Sequence, residues 1–141
     1  MSKPLKIHPT LLLTGAAGGL GQILRESLLA HAHIIRVSDI SDMAASRGEH
    51  EEVVPCDLAD KAGVHQLVDG VDAIVHFGGV SVERPFEEIL GANICGVFHI
   101  YEAARRHGVK RVVFASSNHV IGFYKQDEHL DAHCQRRPDG Y

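Results

Sequence analysis

Three glycines that follow a short apolar run constrain the fold of this chain more than any other feature. Residues 11–13 are all leucine, as expected of a parallel strand that is buried on both faces. Glycines stand at Gly15, Gly18 and Gly21, and a helical pattern of apolar residues begins there. In such a strand–turn–helix unit the first glycine permits the tight turn, the second lets the backbone approach a phosphate, and the third lets the helix pack closely. The stretch therefore predicts a cradle for a pyrophosphate group at a helix N-terminus.

Glycine-rich loops also occur as plain turns, so the assignment depends on the residues around the loop. Asp39 ends a second apolar run, at 34–38, and an acidic residue there would accept hydrogen bonds from ribose hydroxyls and repel a 2′-phosphate. Ala16 and Ala17 bring no cation to the loop, and Arg36 lies inside the strand run. The pattern favours NAD over NADP as the cofactor.

The helix that follows the loop is predicted to be amphipathic. Arg25 and Glu26 are expected to face solvent, because they lie between the apolar positions. The predicted packing face consists of the apolar residues that recur at helical spacing, namely Leu20, Ile23, Leu24 and Leu28.

Composition excludes several classes of protein. The chain has 141 residues, which predicts one domain over 1–141, and its net charge of −4 argues against nucleic acid as a partner. No apolar run is long enough for a signal sequence or a membrane span. The three cysteines lie far apart, which is typical of reduced thiols in the cytoplasm, and the eleven histidines show no zinc-ligand spacing. We expect a cytoplasmic protein without a metal or a membrane partner.

Strands and helices are predicted to alternate along the rest of the chain. The predicted strands lie at 53–56, 72–77 and 110–115, and the predicted helices at 62–67 and 85–107. Pro55 places the third strand at a sheet edge, and Asp57 after it could cap the next helix, contact an adenine ring, or do both. The alternation predicts an α/β fold of the Rossmann type, a doubly wound parallel sheet with strand order 3-2-1-4-5.

Small and polar residues follow the fourth and fifth predicted strands. Gly78 and Gly79 would let a cofactor lie close to the backbone. Residues 116–119, Ser-Ser-Asn-His, are common turn residues, so composition fits a plain loop as well as a ligand site. Their position beside the expected cofactor crevice favours the ligand site. Asn93 stands among apolar neighbours on the long helix and is expected to be a satisfied buried amide.

Several segments resemble the extended short-chain dehydrogenase/reductase superfamily, to which NAD-dependent epimerases and dehydratases belong. The blocks that carry this likeness are 14–21, 56–58, 76–79, 93–96 and 114–119. Two longer segments, 77–86 and 116–124, resemble more narrowly the uronate dehydrogenases, which use NAD to oxidise the anomeric carbon of glucuronate or galacturonate to the aldarolactone. The likeness covers nearly the whole chain but only the N-terminal half of the family's fold, so we expect the sheet to stop before the later strands.

The resemblance implies a role for each matching residue. It implies that the pyrophosphate is held by Gly15, Gly18, Gly19, Leu20 and Gly21. Asp39 and Ile40 would hold the adenosine ribose, and Asp57 and Leu58 would flank the adenine. The path of the cofactor would be lined by Phe77, Gly78 and Gly79. The residues implied to contact the sugar acid are Ser81, Ser117, Asn118 and His119.

The chemistry of the superfamily implies two further roles, and this chain departs from the superfamily pattern at one point, the general base. Ser117 would hydrogen-bond the reacting anomeric oxygen, and Asn93 would support the proton relay. The general base of the superfamily is a tyrosine followed four residues later by a lysine that lowers its pKa. On the alignment with the uronate dehydrogenases, Tyr141 is the residue before that base; in the other register, Tyr141 is the base itself.

Three functions stay open at this point. The resemblance favours a uronate-oxidising parent enzyme that forms homo-oligomers, with the 141-residue chain inactive by itself. A nucleotide-sugar epimerase or dehydratase of the same superfamily is the nearest enzymatic alternative. Because no lysine follows Tyr141, a non-catalytic NAD-binding module is the third. The fifth strand is expected to form an exposed apolar sheet edge, which favours aggregation.

Overall fold

One parallel sheet organises the fold in the computed structural model, which describes residues 8–139; Tyr141 lies outside the described residues. The sheet has five strands in the order β3-β2-β1-β4-β5, and every neighbouring pair is parallel. The strands are β1 His8–Thr14, β2 Ala32–Ser38, β3 Glu51–Val53, β4 Ala73–His76 and β5 Arg111–Phe114. The predicted fold class and strand order are confirmed, and so is the placement of β3 and β5 at the edges.

Helices cover both faces of this sheet. The helices are α1 Gly19–Ser27, α2 Lys61–Val68, α3 Phe86–Ile89 and α4 Gly96–His107. Leu12 and Ile74 pack on α2 and α4 at one face, while Leu13 and Ile35 pack under α1 at the other. Side chains alternate between the faces of a strand, so β1 contributes leucines to both clusters. Within the described residues, no helix is both long and apolar enough to cross a membrane.

The predicted packing face of α1 is wrong at three positions. Leu20 and Ile23 are 62% and 67% exposed, whereas Arg25 is buried at 3%. Gly21 is the residue that fixes the face, because a Cβ there would collide with the carbonyl oxygen of Gly15. The helix side that carries Gly21 must therefore pack inward, and Arg25, four residues on, lies on the same side.

A buried ion pair makes the inward position of Arg25 possible. Its Nε and Nη2 atoms donate to the two carboxylate oxygens of Glu51 at 2.6 and 2.9 Å. Nη2 also donates to the carbonyls of Ala44 and Ala45, each at 3.0 Å. The bond from Arg25 holds the pKa of Glu51 below its usual value, and the backbone N–H of Arg47 adds to this at 2.6 Å. The pair ties α1 to β3, and the bonds to Ala44 and Ala45 tie it to the connection between β2 and β3.

The predicted helix over 85–107 is continuous but not regular. Between α3 and α4 the segment Leu90–Cys95 forms a π-helical stretch of six residues. Gly91 and Gly96 are poor helix formers, and Gly96 is needed for packing, since a Cβ there would lie 2.8 Å from the Cβ of Leu58. The helix ends at Gly108, which adopts a φ of 70°, as its sequence position predicts.

Two boundaries in the third βα unit differ from the prediction. β3 begins at Glu51, earlier than the predicted 53–56. After β3 ends, the N–H groups of Val54 and Cys56 still donate to the carbonyls of Val37 and Asp39. Asp57 does not cap α2: its carboxylate accepts from the N–H of Ala59 at 2.8 Å in a local turn. The cap is Asp60, whose carboxylate accepts from the N–H of Ala62 at 3.0 Å.

Candidate functional site

A cavity of about 790 Å³ opens at the carboxyl ends of β1, β2 and β4. Its volume is within the range of small-molecule sites, and it lies where the strand order reverses. The predicted site residues that line it are Gly15, Gly18, Asp39, Ile40, Asp57, Leu58, Phe77, Gly78, Gly79 and Ser81. Gly19, Leu20 and Gly21 belong to the first turn of α1 and do not line it.

The glycine loop forms one wall of the cavity with a backbone that only glycine allows. Gly15 has a φ of 72°, and a Cβ there would lie 2.6 Å from the carbonyl atoms of Phe77. Gly18 is the N-cap of α1 and brings no side-chain hydrogen bond to the N–H groups of the first turn. Free N–H groups and the positive end of the helix dipole favour an anion at this end of the cavity.

The tip of β2 provides the acidic part of the site. Asp39 is half-buried, and its two carboxylate oxygens accept from the N–H groups of Ala17 at 3.0 Å and Ser41 at 2.9 Å. Each oxygen retains a further lone pair for a ligand hydroxyl. Arg36 is directed elsewhere, donating to Glu52 at 2.7 Å. No lysine, arginine or histidine is among the described residues that line the cavity, so nothing there favours a 2′-phosphate.

A buried polar pair, Thr14 and His76, supports the floor of the cavity and was not predicted from the sequence. The N–H of Gly78 donates to Oγ1 of Thr14 at 3.0 Å, and Oγ1 lies 2.6 Å from Nδ1 of His76. The hydroxyl can accept from Gly78 and still exchange a hydrogen bond with Nδ1, the direction of which depends on the tautomer of His76. The available sequence signal was that Thr14 and His76 are polar residues directly after the apolar runs 11–13 and 73–75.

His76 is held neutral in the core. Burial lowers its pKa to about 4, its ring stacks on Phe114 with centroids 5.5 Å apart, and its Nε2 atom has no partner among the described residues. Protonation would place an uncompensated charge in an apolar setting.

Because the pKa of His76 is lowered, we expect the free energy of unfolding to fall in acid. Between pH 6.5 and about 4 the unfolded chain binds a proton at His76 that the folded chain does not, so stability falls as the pH is lowered through that window. The loss reaches about 3 kcal/mol at its lower end. Urea unfolding at stepwise pH measures it. The slope should be reduced in His76→Asn and retained in His31→Gln, which changes an exposed histidine; equal slopes in the two variants would contradict the assignment.

The π-helical segment directs Asn93 at the loop after β4. Its Oδ1 accepts from the N–H of Val80 at 2.7 Å, and its Nδ2 donates to the carbonyl of Val80 at 2.9 Å. Gly79, with a φ of 153°, brings the loop so near that a Cβ there would lie 2.9 Å from that Oδ1. The amide is satisfied as predicted, but Asn93 is half-buried rather than buried, and it holds the loop that carries Ser81.

The loop after β5 forms a separate surface. Asn118–Ile121 is a short 3-10 turn, and Oγ of Ser117 accepts from the N–H of His119 at 3.1 Å. Ser117 and Asn118 line a second cavity of about 330 Å³, whereas His119 lines neither cavity. Of the four residues predicted to contact a sugar acid, the described structure thus brings three together on one loop and places Ser81 in the larger cavity.

Comparison with known proteins identifies the family. The sequence pattern of the NAD-dependent epimerase/dehydratase family matches residues 11–139. The chain belongs to this family. It is 78% identical over 131 residues to the uronate dehydrogenase of Pseudomonas syringae pv. tomato, a match that covers 93% of this chain and 48% of that protein. The chain therefore spans about half the length of the curated relatives it matches.

Solved structures of this family agree with the fold. A mutant uronate dehydrogenase from Agrobacterium tumefaciens, complexed with NAD, superposes with a TM-score of 0.90 at 54% identity over 93% of this chain and 49% of that one. The glucuronic acid dehydrogenase of Chromohalobacter salexigens superposes with a TM-score of 0.92 at 53% identity over 95% of this chain and 50% of that one. The resemblance predicted from the sequence is confirmed.

Proposed function

We propose that this chain forms the NAD-binding half of a dehydrogenase that oxidises a hexuronate, glucuronate or galacturonate, at its anomeric carbon to the aldarolactone. The observation that carries the proposal is the 78% identity to the Pseudomonas syringae uronate dehydrogenase, which extends over 93% of the chain. The geometry of the large cavity supports it independently, because a glycine turn, an uncapped helix and an acidic strand tip are arranged around one space.

The residues around the cavity fit NAD. Gly15 and Gly18 present the backbone to the pyrophosphate, with Gly19, Leu20 and Gly21 completing the helix N-terminus that faces it. Asp39 and Ile40 would hold the adenosine ribose, Asp57 and Leu58 the adenine, and Phe77, Gly78 and Gly79 the path toward the nicotinamide. The nicotinamide ring supplies a hydride acceptor when NAD is bound.

The loop after β5 supplies the groups proposed for the sugar acid. Since Oγ of Ser117 already accepts from the N–H of His119, its own O–H is free to donate to the anomeric oxygen. Asn118 and His119 would orient the ring hydroxyls, and Ser81 would contact the sugar from the loop that Asn93 holds. The tyrosine–lysine base of the superfamily matches none of the described residues, and Tyr141 lies outside them.

The test adds the half of the relatives that this chain does not match. We would join the chain to the remaining half of the Pseudomonas syringae enzyme and follow reduced nicotinamide by its absorbance, with glucuronate and galacturonate as substrates. Turnover by the fusion, NAD binding without turnover by the chain alone, and a strongly reduced kcat in fused Ser117→Ala are the expected results.

The same experiment separates the alternatives. Turnover of a UDP-sugar with none of either uronate would favour the nucleotide-sugar enzymes of the superfamily. NAD binding by the fusion without turnover of any of these substrates would favour the non-catalytic module. Either result would contradict the proposed oxidation.

The proposal includes the setting of the enzyme. Cys56, Cys95 and Cys134 are free thiols, a state that is typical of the reducing cytoplasm, and we place the protein there. Its partner is a small sugar acid, and we expect the whole enzyme to be a homo-oligomer; sedimentation of the active fusion tests that expectation.

A further inference from the structure

The last described residues, 137–139, dock on the loop that follows β5. Arg137 donates its N–H to the carbonyl of Val120 at 2.9 Å and accepts from the N–H of Phe123 at 3.0 Å. The N–H of Asp139 donates to the carbonyl of His119 at 3.3 Å. Three main-chain hydrogen bonds thus hold this segment against the turn that carries the proposed sugar contacts.

Docking brings a carboxylate to an imidazole. Oδ1 of Asp139 lies 2.8 Å from Nδ1 of His119. Gly122 provides the space for it, since a Cβ at this glycine would collide with the Asp139 carboxylate. The His119 side chain remains 68% exposed, and its Nε2 atom has no partner among the described residues. One ring nitrogen is fixed, and the other is open to a ligand.

The chemistry of the two groups decides where the proton lies. An ionised carboxylate only accepts hydrogen bonds, so Nδ1 must carry a hydrogen to bond Asp139. In the neutral imidazole Nε2 is then unprotonated and offers a lone pair. We propose that Asp139 is a positioning residue that fixes His119 in the Nδ1–H form, so that Nε2 accepts a hydrogen bond from a hydroxyl of the bound sugar acid.

The pair contributes orientation more than stability. Exposed ion pairs contribute little to folding free energy, because water screens them and two side chains must be ordered. Here main-chain bonds already hold Asp139, so the carboxylate is in place before a ligand arrives. Without the carboxylate, the ring would exchange between its two neutral forms. Nε2 would then carry a hydrogen part of the time and could not accept a hydrogen bond from a sugar hydroxyl. Only the identity of the ligand rests on the proposed function.

Nitrogen-15 NMR of the histidine side chains tests the positioning role without any turnover. At pH 8.5 we expect His119 of the chain to show the Nδ1–H pattern. Asp139→Ala and Gly122→Ala should both shift it toward the Nε2–H form, the first by removing the carboxylate and the second by displacing it. Asp127→Asn, which changes an exposed carboxylate outside the docked segment, should leave it unchanged.

Two results would overturn the proposal: an Nε2–H pattern in the unaltered chain, or an Nδ1–H pattern that survives in both Asp139→Ala and Gly122→Ala. In the active fusion, Asp139→Ala should raise the KM for the uronate about threefold to tenfold, the equivalent of one hydrogen bond, with kcat and the KM for NAD nearly unchanged. A fall in kcat at constant KM would count against it. If the fusion does not turn over uronates, the proposed function fails, while the NMR result still decides the role of Asp139.

Discussion

Replacing Arg25 with methionine is expected to destabilise the fold by about 3–5 kcal/mol, the usual cost of breaking a buried ion pair. The variant leaves the carboxylate of Glu51 without its guanidinium, and the side chains of Arg25 and Glu51 are only 3% and 1% exposed. It also removes a donor from the carbonyls of Ala44 and Ala45. Chemical unfolding followed by circular dichroism measures the loss.

Two further variants show whether burial is the cause. Arg105→Met breaks a pair of similar length, 2.8 Å to Glu102, but Arg105 is 70% exposed, so little change is expected. The double variant Arg25→Met with Glu51→Leu removes both charges and should recover part of the stability, because no unpaired carboxylate remains. An Arg25→Met variant as stable as Arg105→Met would disprove this explanation.

Replacing Gly15 with alanine is expected to weaken NAD binding by about 10-fold to 100-fold. A Cβ there would lie 2.6 Å from the carbonyl of Phe77 and 2.8 Å from the nitrogen of Gly78, so the strand end that lines the cavity must move. Overpacking of this kind costs about 1–3 kcal/mol, which corresponds to that change in affinity. Calorimetric titration of the chain with NAD measures it.

Gly70 offers a control for backbone strain. Its φ of 73° nearly equals the 72° of Gly15, but a Cβ at Gly70 would meet no atom within 4 Å. Gly70→Ala therefore carries the same left-handed strain without the collision, and it should lower stability by about 1 kcal/mol while NAD affinity stays unchanged. Equal losses of affinity in the two variants would show that strain, rather than the contact with Phe77, is responsible.

The strand order could be predicted because few topologies satisfy right-handed crossovers between parallel strands. The glycine loop was equally accessible, since its residues are contiguous and each has a local steric reason. Arg25 was not predictable in the same way. Apolar periodicity treats an arginine as a surface residue, and its partner Glu51 lies 26 positions further along the chain, so the pair exists only after folding.

Other features escaped because no local pattern encodes them. The π-helical stretch Leu90–Cys95 has the same apolar spacing as a regular helix, so the sequence does not distinguish the two. Its role, which is to direct Asn93 at Val80, is visible only in the folded structure. The docking of Asp139 on His119 joins residues 20 positions apart. It depends on main-chain hydrogen bonds, which the types of side chain in the sequence do not predict. The glycine loop could be located from its own residues, whereas the contacts that join distant residues could not.

The central position of β1 affects the synthesis of this protein on the ribosome. β1 is made first, yet it needs neighbours on both sides, and its partner in β4 lies 62 residues later, from Thr14 to His76. At roughly 5–20 residues per second, one side of this leucine-rich strand stays open for roughly 3–12 s after it is made. During that interval one edge of β1 has unpaired N–H and C=O groups beside leucine side chains, a combination that favours aggregation while only α1 and β2 can cover the strand.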